Sequence, residues 1–140
     1  MTDTPDDRLL AMLTGAPIIA VVGASPKPGR ASRDIVGYLV QHRYRVIPIN
    51  PAYAGEKIFG QPVVARLADV AEPIDIVDIF RRTEALAGVV DEALALSPRP
   101  KVIWMQLGLR DEAAARRAEA AGLTVVMDRC IKIEHGRLGL

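Results

Sequence analysis

The sequence predicts an α/β domain in which helices cover both faces of a mostly parallel five-stranded sheet. Three observations support this fold class. Short β-branched apolar runs alternate with longer segments whose apolar residues recur at helical spacing. Gly and Pro residues separate these segments. The 140 residues, half of them hydrophobic, suffice for one core, so we expect a single domain over residues 1–140.

The predicted strands are short, apolar and bounded by turn residues. The second strand contains Pro48 near its end, which predicts that pairing stops there because proline lacks an N–H donor. The third contains Asp75 and Asp78, which we expect near the strand's ends or near a sheet edge. The five predicted strands are 18–22, 44–49, 74–80, 101–105 and 123–127.

The predicted helices follow the strands closely enough to form right-handed βαβ units, which gives a Rossmann-like, doubly wound domain. We expect Ser32 or the residue before it to cap the second helix, and Thr83 the third. Residues 52–64 lack a clear period and predict an irregular loop, extended at 62–64. The helical segments are a lead-in within 1–16, then 32–42, 83–95 and 111–121, with one turn at 66–70 and a tail at 128–140.

Composition narrows the classes of function. The 18 basic and 17 acidic side chains leave a net charge of +1, so no overall field attracts nucleic acid or an anionic membrane. Cys130 is the single cysteine, which excludes an internal disulfide and fits a reducing compartment. The first residues do not resemble a signal peptide, and no apolar run approaches the roughly 20 residues of a membrane span. We therefore expect a cytoplasmic protein.

The loops that follow the strands are the candidate ligand-binding segments, because ligands of open parallel sheets bind at the carboxyl ends of the strands. The first loop, "GASPKPG", begins at Gly23 and leads into a helix whose N-terminus suits a phosphate. It departs from the G-x-G-x-x-G fingerprint, since Ser25 replaces the second glycine and Gly29 lies six residues after Gly23.

The end of the second strand separates the possible nucleotides. An NAD-binding domain usually places an acidic residue there for the ribose, whereas this chain has Asn50 followed by Pro51. Lys27, Arg30 and Arg33 lie in or beside the first loop. This basic set, without a ribose-binding acid, favours a ligand with an additional phosphate, which is NADP or coenzyme A (CoA).

Six segments in a fixed order resemble the stand-alone CoA-binding domain family, which has a Rossmann-like fold and is similar to the N-terminal domain of succinyl-CoA synthetase α subunits. The resemblance covers nearly the whole chain from Ile18 onward. The segments are "VGASPKPGRAS", "GYLVQHRYRVIPINP", "GEKIFGQPV", "DIVDIFRR", "WMQLGL" and "AGLTVVMDRCIKIEH".

The resemblance implies a role for each of the four loops. It implies a pyrophosphate on the turn of Gly23, Ala24 and Ser25, supported by Lys27 and Arg30. Arg30 is also a candidate for the 3′-phosphate of CoA. The resemblance further implies adenosine near Asn50 and Pro51, and a pantetheine route bordered by Phe80, Arg81, Gln106 and Gly108.

Structural explanations stand beside these roles for several of the same residues. Gly23 and Ser25 also suit a tight turn without a ligand, and Asn50-Pro51 also suits the end of a strand. Phe80 suits either the core or a ligand. Cys130, near the expected ligand-binding edge, is either a reactive thiol or a small buried hydrophobe.

Catalytic and metal-binding patterns do not emerge from the sequence. Its two histidines, His42 and His135, accompany no candidate nucleophile, and Cys130, Glu134 and His135 lack a zinc-ligand spacing. We therefore expect a non-catalytic protein that binds CoA or an acyl-CoA. Two alternatives remain, an NAD(P)-binding oxidoreductase or redox-sensing domain and a subunit that presents CoA to a separate catalytic chain.

Overall fold

The computed structural model describes residues 4–140 and contains a five-stranded sheet in which every neighbouring pair of strands is parallel. This sheet confirms the predicted fold class, and its strands end within one or two residues of the predicted bounds. From one edge to the other, the strands are β2 (Arg45–Ile49), β1 (Ile18–Val22), β5 (Ile76–Ile79), β6 (Val102–Met105) and β7 (Thr124–Val126).

Helices cover both faces of the sheet. Leu9, Leu39 and Ile131 belong to the core on the face of α1, α2 and α5, whereas Leu86 and Ala114 belong to the core on the face of α3 and α4. Burial on both faces explains why the strands are mainly apolar. The helices are α1 (Asp6–Leu13), α2 (Ala31–Gln41), α3 (Leu86–Leu94), α4 (Glu112–Ala120) and α5 (Ile131–Arg137).

The order of the strands reverses between β1 and β5. From β1 the chain passes through α2 to β2 at one edge, and from β5 it passes through α3 to β6 in the opposite direction. The loops that leave β1 and β5 therefore diverge to opposite faces, and a crevice forms between them at the carboxyl ends of these strands.

Pairing of β2 ends one residue beyond Pro48, at the predicted end of this strand. Pro48 lies in register with Val21, and β2 continues to Ile49. The Pro48 carbonyl faces the outer edge of β2, where it accepts a hydrogen bond from the Val64 N–H at 2.9 Å. Because the N–H and C=O of one strand residue point to the same side, the donor that proline lacks is not one that β1 needs.

The expected irregular loop after β2 contains a small hairpin. Its strands are β3 (Lys57–Ile58) and β4 (Gln61–Pro62), joined by Phe59 and Gly60 with φ values of 47° and 79°. Two-residue strands offer no period to a sequence reading, which explains the omission. A 3₁₀ turn at Leu67–Asp69 agrees with the single turn predicted nearby.

The two predicted capping roles are wrong. Arg30 is the N-cap residue of α2, and the Ser32 hydroxyl instead accepts a hydrogen bond from the Ser25 N–H at 3.1 Å. Thr83 begins a 3₁₀ turn, and α3 starts only at Leu86. The segment predicted only as a tail contains α5, and the first three residues of the predicted lead-in lie outside the described residues.

Asp78 is not at an edge or a strand end. It lies on β5 in the middle of the sheet, between Val21 and Trp104, and it is fully buried. Neither carboxyl oxygen has a hydrogen-bond partner within residues 4–140. Burial raises the pKa of Asp78 well above its ordinary value, because removal from water disfavours the charged carboxylate.

Candidate functional site

Two cavities lie at the carboxyl ends of the strands, one on each face of the sheet. The cavity beside α3, called the α3-side cavity, has a volume of about 450 Å³ and includes Asn50, Pro51 and Arg66 in its lining. The cavity beside α2, called the α2-side cavity, has a volume of about 530 Å³ and includes Arg30, Phe80 and Gln106. Gly23 and Arg81 line both, so the cavities meet at the reversal of strand order.

The backbone geometry at the junction of the two cavities requires glycine at position 23, independently of any ligand. Its φ is +85°, and a Cβ atom built there would lie 2.0 Å from the Phe80 carbonyl oxygen and 3.0 Å from Arg81 Cδ. The backbones that follow β1 and β5 therefore approach each other in a way that only glycine permits.

The backbone donors of the first loop are largely engaged within the protein. The N–H groups of Gly23 and Ala24 point to the Ile49 carbonyl oxygen, at 2.8 and 3.3 Å. The Ser25 N–H donates to Ser32, and the Lys27 N–H donates to the Ser25 hydroxyl at 3.2 Å. A phosphate at this loop must therefore rely on other donors than the N–H groups of residues 23–25.

Such donors are available at the start of α2. The N–H groups of Ala31 and Ser32 lie in the first turn of α2, where N–H groups have no acceptor within the helix. Both residues line the α2-side cavity. The helix has 11 residues, and its dipole places partial positive charge at this end. The arrangement favours an anion in this cavity.

Three cations surround the same region. Arg30 and Arg81 line the α2-side cavity, while Lys27 is exposed in the first loop and lines neither cavity. Within residues 4–140 none of the three forms an ion pair with an acidic side chain. Their charge is therefore available to a ligand.

Asn50 connects the loop that follows β2 to the loop that follows β1. Its side-chain Nδ2 donates to the Ala24 carbonyl oxygen at 2.9 Å, and its Oδ1 accepts from the Ala52 N–H at 3.0 Å. The second contact caps a 3₁₀ turn at Pro51–Tyr53. Asn50 thus has a structural role in addition to its position beside the α3-side cavity.

Gln106 and Gly108 fix the loop after β6 against the start of α5. The buried Gln106 side chain accepts a hydrogen bond from the Ile131 N–H at 3.2 Å. The Gly108 N–H donates to Asp128 Oδ1 at 2.6 Å, and Gly108 lines neither cavity. The structure therefore gives Gly108 a role in shaping the loop.

Several residues that line the cavities were not singled out from the sequence, although Leu107 and Leu109 lie in the candidate loop after the fourth predicted strand. Leu107, Leu109 and Ile133 form an apolar wall of the α2-side cavity together with Phe80 and Cys130. Ile133 was missed because the segment 128–140 was interpreted as a tail. Arg66 lies on the α3-side cavity, and no pattern in the irregular segment before it indicated this position.

Comparison with known proteins adds an independent observation. The model of the family described as "CoA binding domain" matches residues 18–136. The chain belongs to the CoA-binding domain family. This CoA-binding domain is 40% identical over 117 residues to the uncharacterized protein YneT of Bacillus subtilis (strain 168), covering 84% of each chain.

Solved structures resemble this CoA-binding domain over its whole length. A Thermus thermophilus protein is 42% identical, with a TM-score of 0.90, over 96% of this chain and 99% of that one. A hypothetical protein from Pyrococcus horikoshii OT3 is 34% identical, with a TM-score of 0.89 and complete coverage of both chains at 100%. An acetyl-coenzyme A synthetase from Ca. Korarchaeum cryptofilum shares the fold at 24% identity and a TM-score of 0.70, matching 28% of the synthetase chain.

The two histidines of the CoA-binding domain lie away from both cavities. The His135 Nδ1 atom is 2.7 Å from the Tyr38 hydroxyl, and the His42 and His135 rings are 4.7 Å apart. Burial, with a contribution from His42, lowers the pKa of His135. These rings join α5 to the C-terminal part of α2, and neither histidine is in the lining of the two cavities.

No helix within residues 4–140 is both long enough and apolar enough to cross a membrane.

Proposed function

We propose that this protein binds CoA or an acyl-CoA across the crevice between β1 and β5, and that it does so without catalysing a reaction. The observation that carries the proposal is the pair of cavities on opposite faces of the sheet, which meet over Gly23 and Arg81. A ligand with a nucleotide at one end and a long arm at the other fits such a divided site. Membership in the CoA-binding domain family supports the same ligand.

The nucleotide end belongs in the α3-side cavity. Asn50 and Pro51 line that cavity, and they are the residues for which an adenosine contact was expected. The end of β2 carries Asn50 where an NAD-binding domain usually places its ribose-binding acid. The acid in the lining of this cavity, Glu92, comes from α3 and not from that strand end.

The pyrophosphate belongs above Gly23, where the two cavities join. Arg81 lies on both sides of this point, and Arg30 and the first turn of α2 lie on the α2 side. Unpaired guanidinium groups and a helix N-terminus together neutralise a doubly charged diphosphate. Lys27 adds positive charge at the entrance from its exposed position in the loop.

The 3′-phosphate is better matched by Arg66 than by Arg30. Arg66 lines the α3-side cavity beside Asn50 and Pro51, whereas Arg30 lines the cavity on the opposite face. A phosphate on the adenosine ribose lies on the nucleotide side of the crevice. We therefore assign Arg30 to the pyrophosphate and Arg66 to the 3′-phosphate.

The pantetheine arm then extends into the α2-side cavity. It passes Phe80 and Arg81 and reaches Gln106, whose side chain is already bonded to the backbone of α5. Neither histidine lines either cavity, and Cys130 is the one thiol there. A holding role suits this set of side chains better than a reaction does.

Calorimetric titration of ligand-stripped protein with CoA, NADP and NAD tests the proposal. We expect CoA to bind at least about tenfold more tightly than either dinucleotide, which corresponds to about 1.4 kcal/mol. A tenfold preference for NAD or NADP would contradict the proposal and favour the oxidoreductase alternative. Mass spectrometry of small molecules released from freshly purified protein provides a second, independent readout.

A further inference from the structure

Two large apolar side chains are exposed at the mouth of the α2-side cavity. Leu107 is 62% exposed on the loop after β6, and Ile133 is 56% exposed on α5. Both line the cavity, although they come from different elements. Exposed apolar side chains that converge on one cavity indicate a binding surface for an apolar group.

The α2-side cavity has two chemically different walls. Its wall at β1 and α2 carries Arg30 and the free N–H groups of the first helical turn. Its wall at β6 and α5 is mainly apolar and consists of Leu107, Leu109, Cys130 and Ile133. Because β5 lies between β1 and β6, the strands that lead into the two walls are about 10 Å apart across the sheet.

The apolar wall is held in place without a ligand. The Leu109 N–H donates to the Gln106 carbonyl oxygen at 2.8 Å, and Asp128 holds the Gly108 N–H at 2.6 Å. The Gln106 side chain anchors the first turn of α5. These contacts order the backbone on both sides of Leu107 and the first turn of α5, the helix that carries Ile133.

We propose that this wall binds the acyl chain of an aliphatic acyl-CoA, so that the protein prefers a medium-chain thioester to free CoA. The inference rests on the proposed function, since the CoA portion must occupy the rest of the crevice. Free CoA ends in a thiol on a polar arm and leaves Leu107 and Ile133 in water. An aliphatic chain covers both side chains and removes their apolar surface from water.

A titration series with CoA, acetyl-CoA, butyryl-CoA and hexanoyl-CoA tests the inference. Full burial of a methylene group raises affinity about fourfold, and a groove open to solvent gives about half of that factor. We therefore expect about a twofold gain per added methylene, so that hexanoyl-CoA, with four more methylenes, binds about 16-fold more tightly than acetyl-CoA.

The double variant Leu107→Gln with Ile133→Gln identifies the wall as the cause. Both side chains are more than half exposed, so the polar replacements leave the core intact. We expect the gain from acetyl-CoA to hexanoyl-CoA, taken as a ratio of affinities within the variant, to fall below about threefold. The ratio cancels any change in the binding of the CoA portion that the two ligands share. Leu10→Gln is the matched control, because Leu10 is 40% exposed on α1 and lines neither cavity. The Leu10→Gln variant should retain the full gain in affinity from acetyl-CoA to hexanoyl-CoA.

The outcomes separate the two proposals. Equal affinities for CoA and hexanoyl-CoA would overturn the acyl preference and leave the CoA site standing. Failure of every member of the series to bind would overturn the proposed function, and this inference with it. A dimer that dissociates in the double variant, in a protein without chain-length preference, would assign the apolar wall to a second copy and overturn the inference.

Discussion

The two ends of the sheet use the same kinds of charged side chain in opposite ways. At the amino ends of the strands, a cavity of about 360 Å³ is lined by Arg8, Asp75 and Lys101. Lys101 pairs with Asp75 at 3.3 Å, and Arg8 donates to the Thr124 hydroxyl at 2.8 Å. At the carboxyl ends, Arg30 and Arg81 have no ion-pair partner in the part of the chain that the structure describes.

Whether the cations that line a cavity already have partners distinguishes a structural cavity from a binding site better than the volume of the cavity does. The cations at the amino end already have acceptors, so an anionic ligand there would have to displace them. Those at the carboxyl end lie beside a helix N-terminus, which adds further positive potential. We infer that the carboxyl-end crevice is the site for an anion and that the amino-end cavity is a by-product of packing α1 onto the sheet.

The largest expected effect comes from glycine substitutions at the two ends. Gly23→Ala places a Cβ against the Phe80 carbonyl, in addition to the strain of a φ of +85°. We expect it to lower the unfolding free energy by about 2–5 kcal/mol and to abolish CoA binding. Gly15→Ala, at a φ of +79° with no atom within 4 Å, is the matched control. It should lose only about 1–2 kcal/mol in a denaturant titration and keep its affinity.

The next effect concerns the cations at the two ends. Arg81→Ala removes an unpaired guanidinium from the junction of both cavities, so we expect CoA affinity to fall about tenfold to hundredfold. Lys101→Ala, at the amino end, should change it by less than about twofold. Calorimetric titration measures both. Equal losses in the two variants would show that overall charge, and not this crevice, attracts the ligand.

Asp75 and Asp78, three residues apart along the chain, compare a carboxyl that has partners with one that has none. Asp75, before β5, accepts from the Ile18 N–H at 2.8 Å and pairs with Lys101, whereas Asp78 has no partner. Because burial raises the pKa of Asp78, the unfolded chain releases this proton at a lower pH than the folded chain does. Wild-type stability therefore falls as pH rises from the ordinary Asp range, by about 1.4 kcal/mol per pH unit, until the folded-state pKa is reached.

Asp78→Asn removes the titrating carboxyl and with it this pH dependence. The unfolding free energy of the variant, relative to that of the wild type, should therefore increase as pH rises. Denaturant titrations between acid and neutral pH provide the measurement. Asp75→Asn serves as the control and should lose up to about 1 kcal/mol through the Lys101 contact, without the same pH slope. A wild-type stability that tracks Asp78→Asn at every pH would mean that the buried carboxyl is not held neutral.

The smallest effect separates the two phosphate assignments. Arg66 is largely exposed and lies 3.6 Å from Asp69, so its loss should lower CoA affinity only about threefold to tenfold. Dephospho-CoA should bind Arg66→Ala and the wild type equally well. Arg30→Ala should weaken both ligands to the same degree. The reverse pattern, with Arg30 selective for the 3′-phosphate, would restore the assignment made from sequence.

Much of the fold was predictable because apolar runs reveal buried strands. Ile18–Val22 and the other four strands are mainly apolar segments bounded by turns, interrupted by Asp78 in β5, and their alternation with helices leaves few topologies. The hairpin at Lys57–Pro62 and the seven-residue helix α5 were not predicted, since segments this short carry too little periodicity. Asp78 misled the reading because burial of an unpaired carboxyl contradicts the usual rule for charged residues.

The location of the crevice was predictable, but its internal contacts were not. The loops after the strands identified Gly23, Asn50, Phe80 and Gln106, because parallel strands bring their carboxyl ends together. A sequence does not show that Asn50 bonds to the Ala24 carbonyl or that the loop's N–H groups are engaged, since these contacts join residues distant along the chain. The contribution of Ile133 to the apolar wall depended on α5 and was missed with it.

The amide of Asn50 also determines which part of the molecule loses freedom when a ligand arrives. It bonds to the Ala24 carbonyl and caps the 3₁₀ turn, so the loops after β1 and β2 are already ordered against each other. Binding then has no backbone segment to order at this edge, and the entropic penalty falls on long side chains such as Arg30 and Arg81. Discrimination between ligands thus depends on mobile cations around a rigid frame.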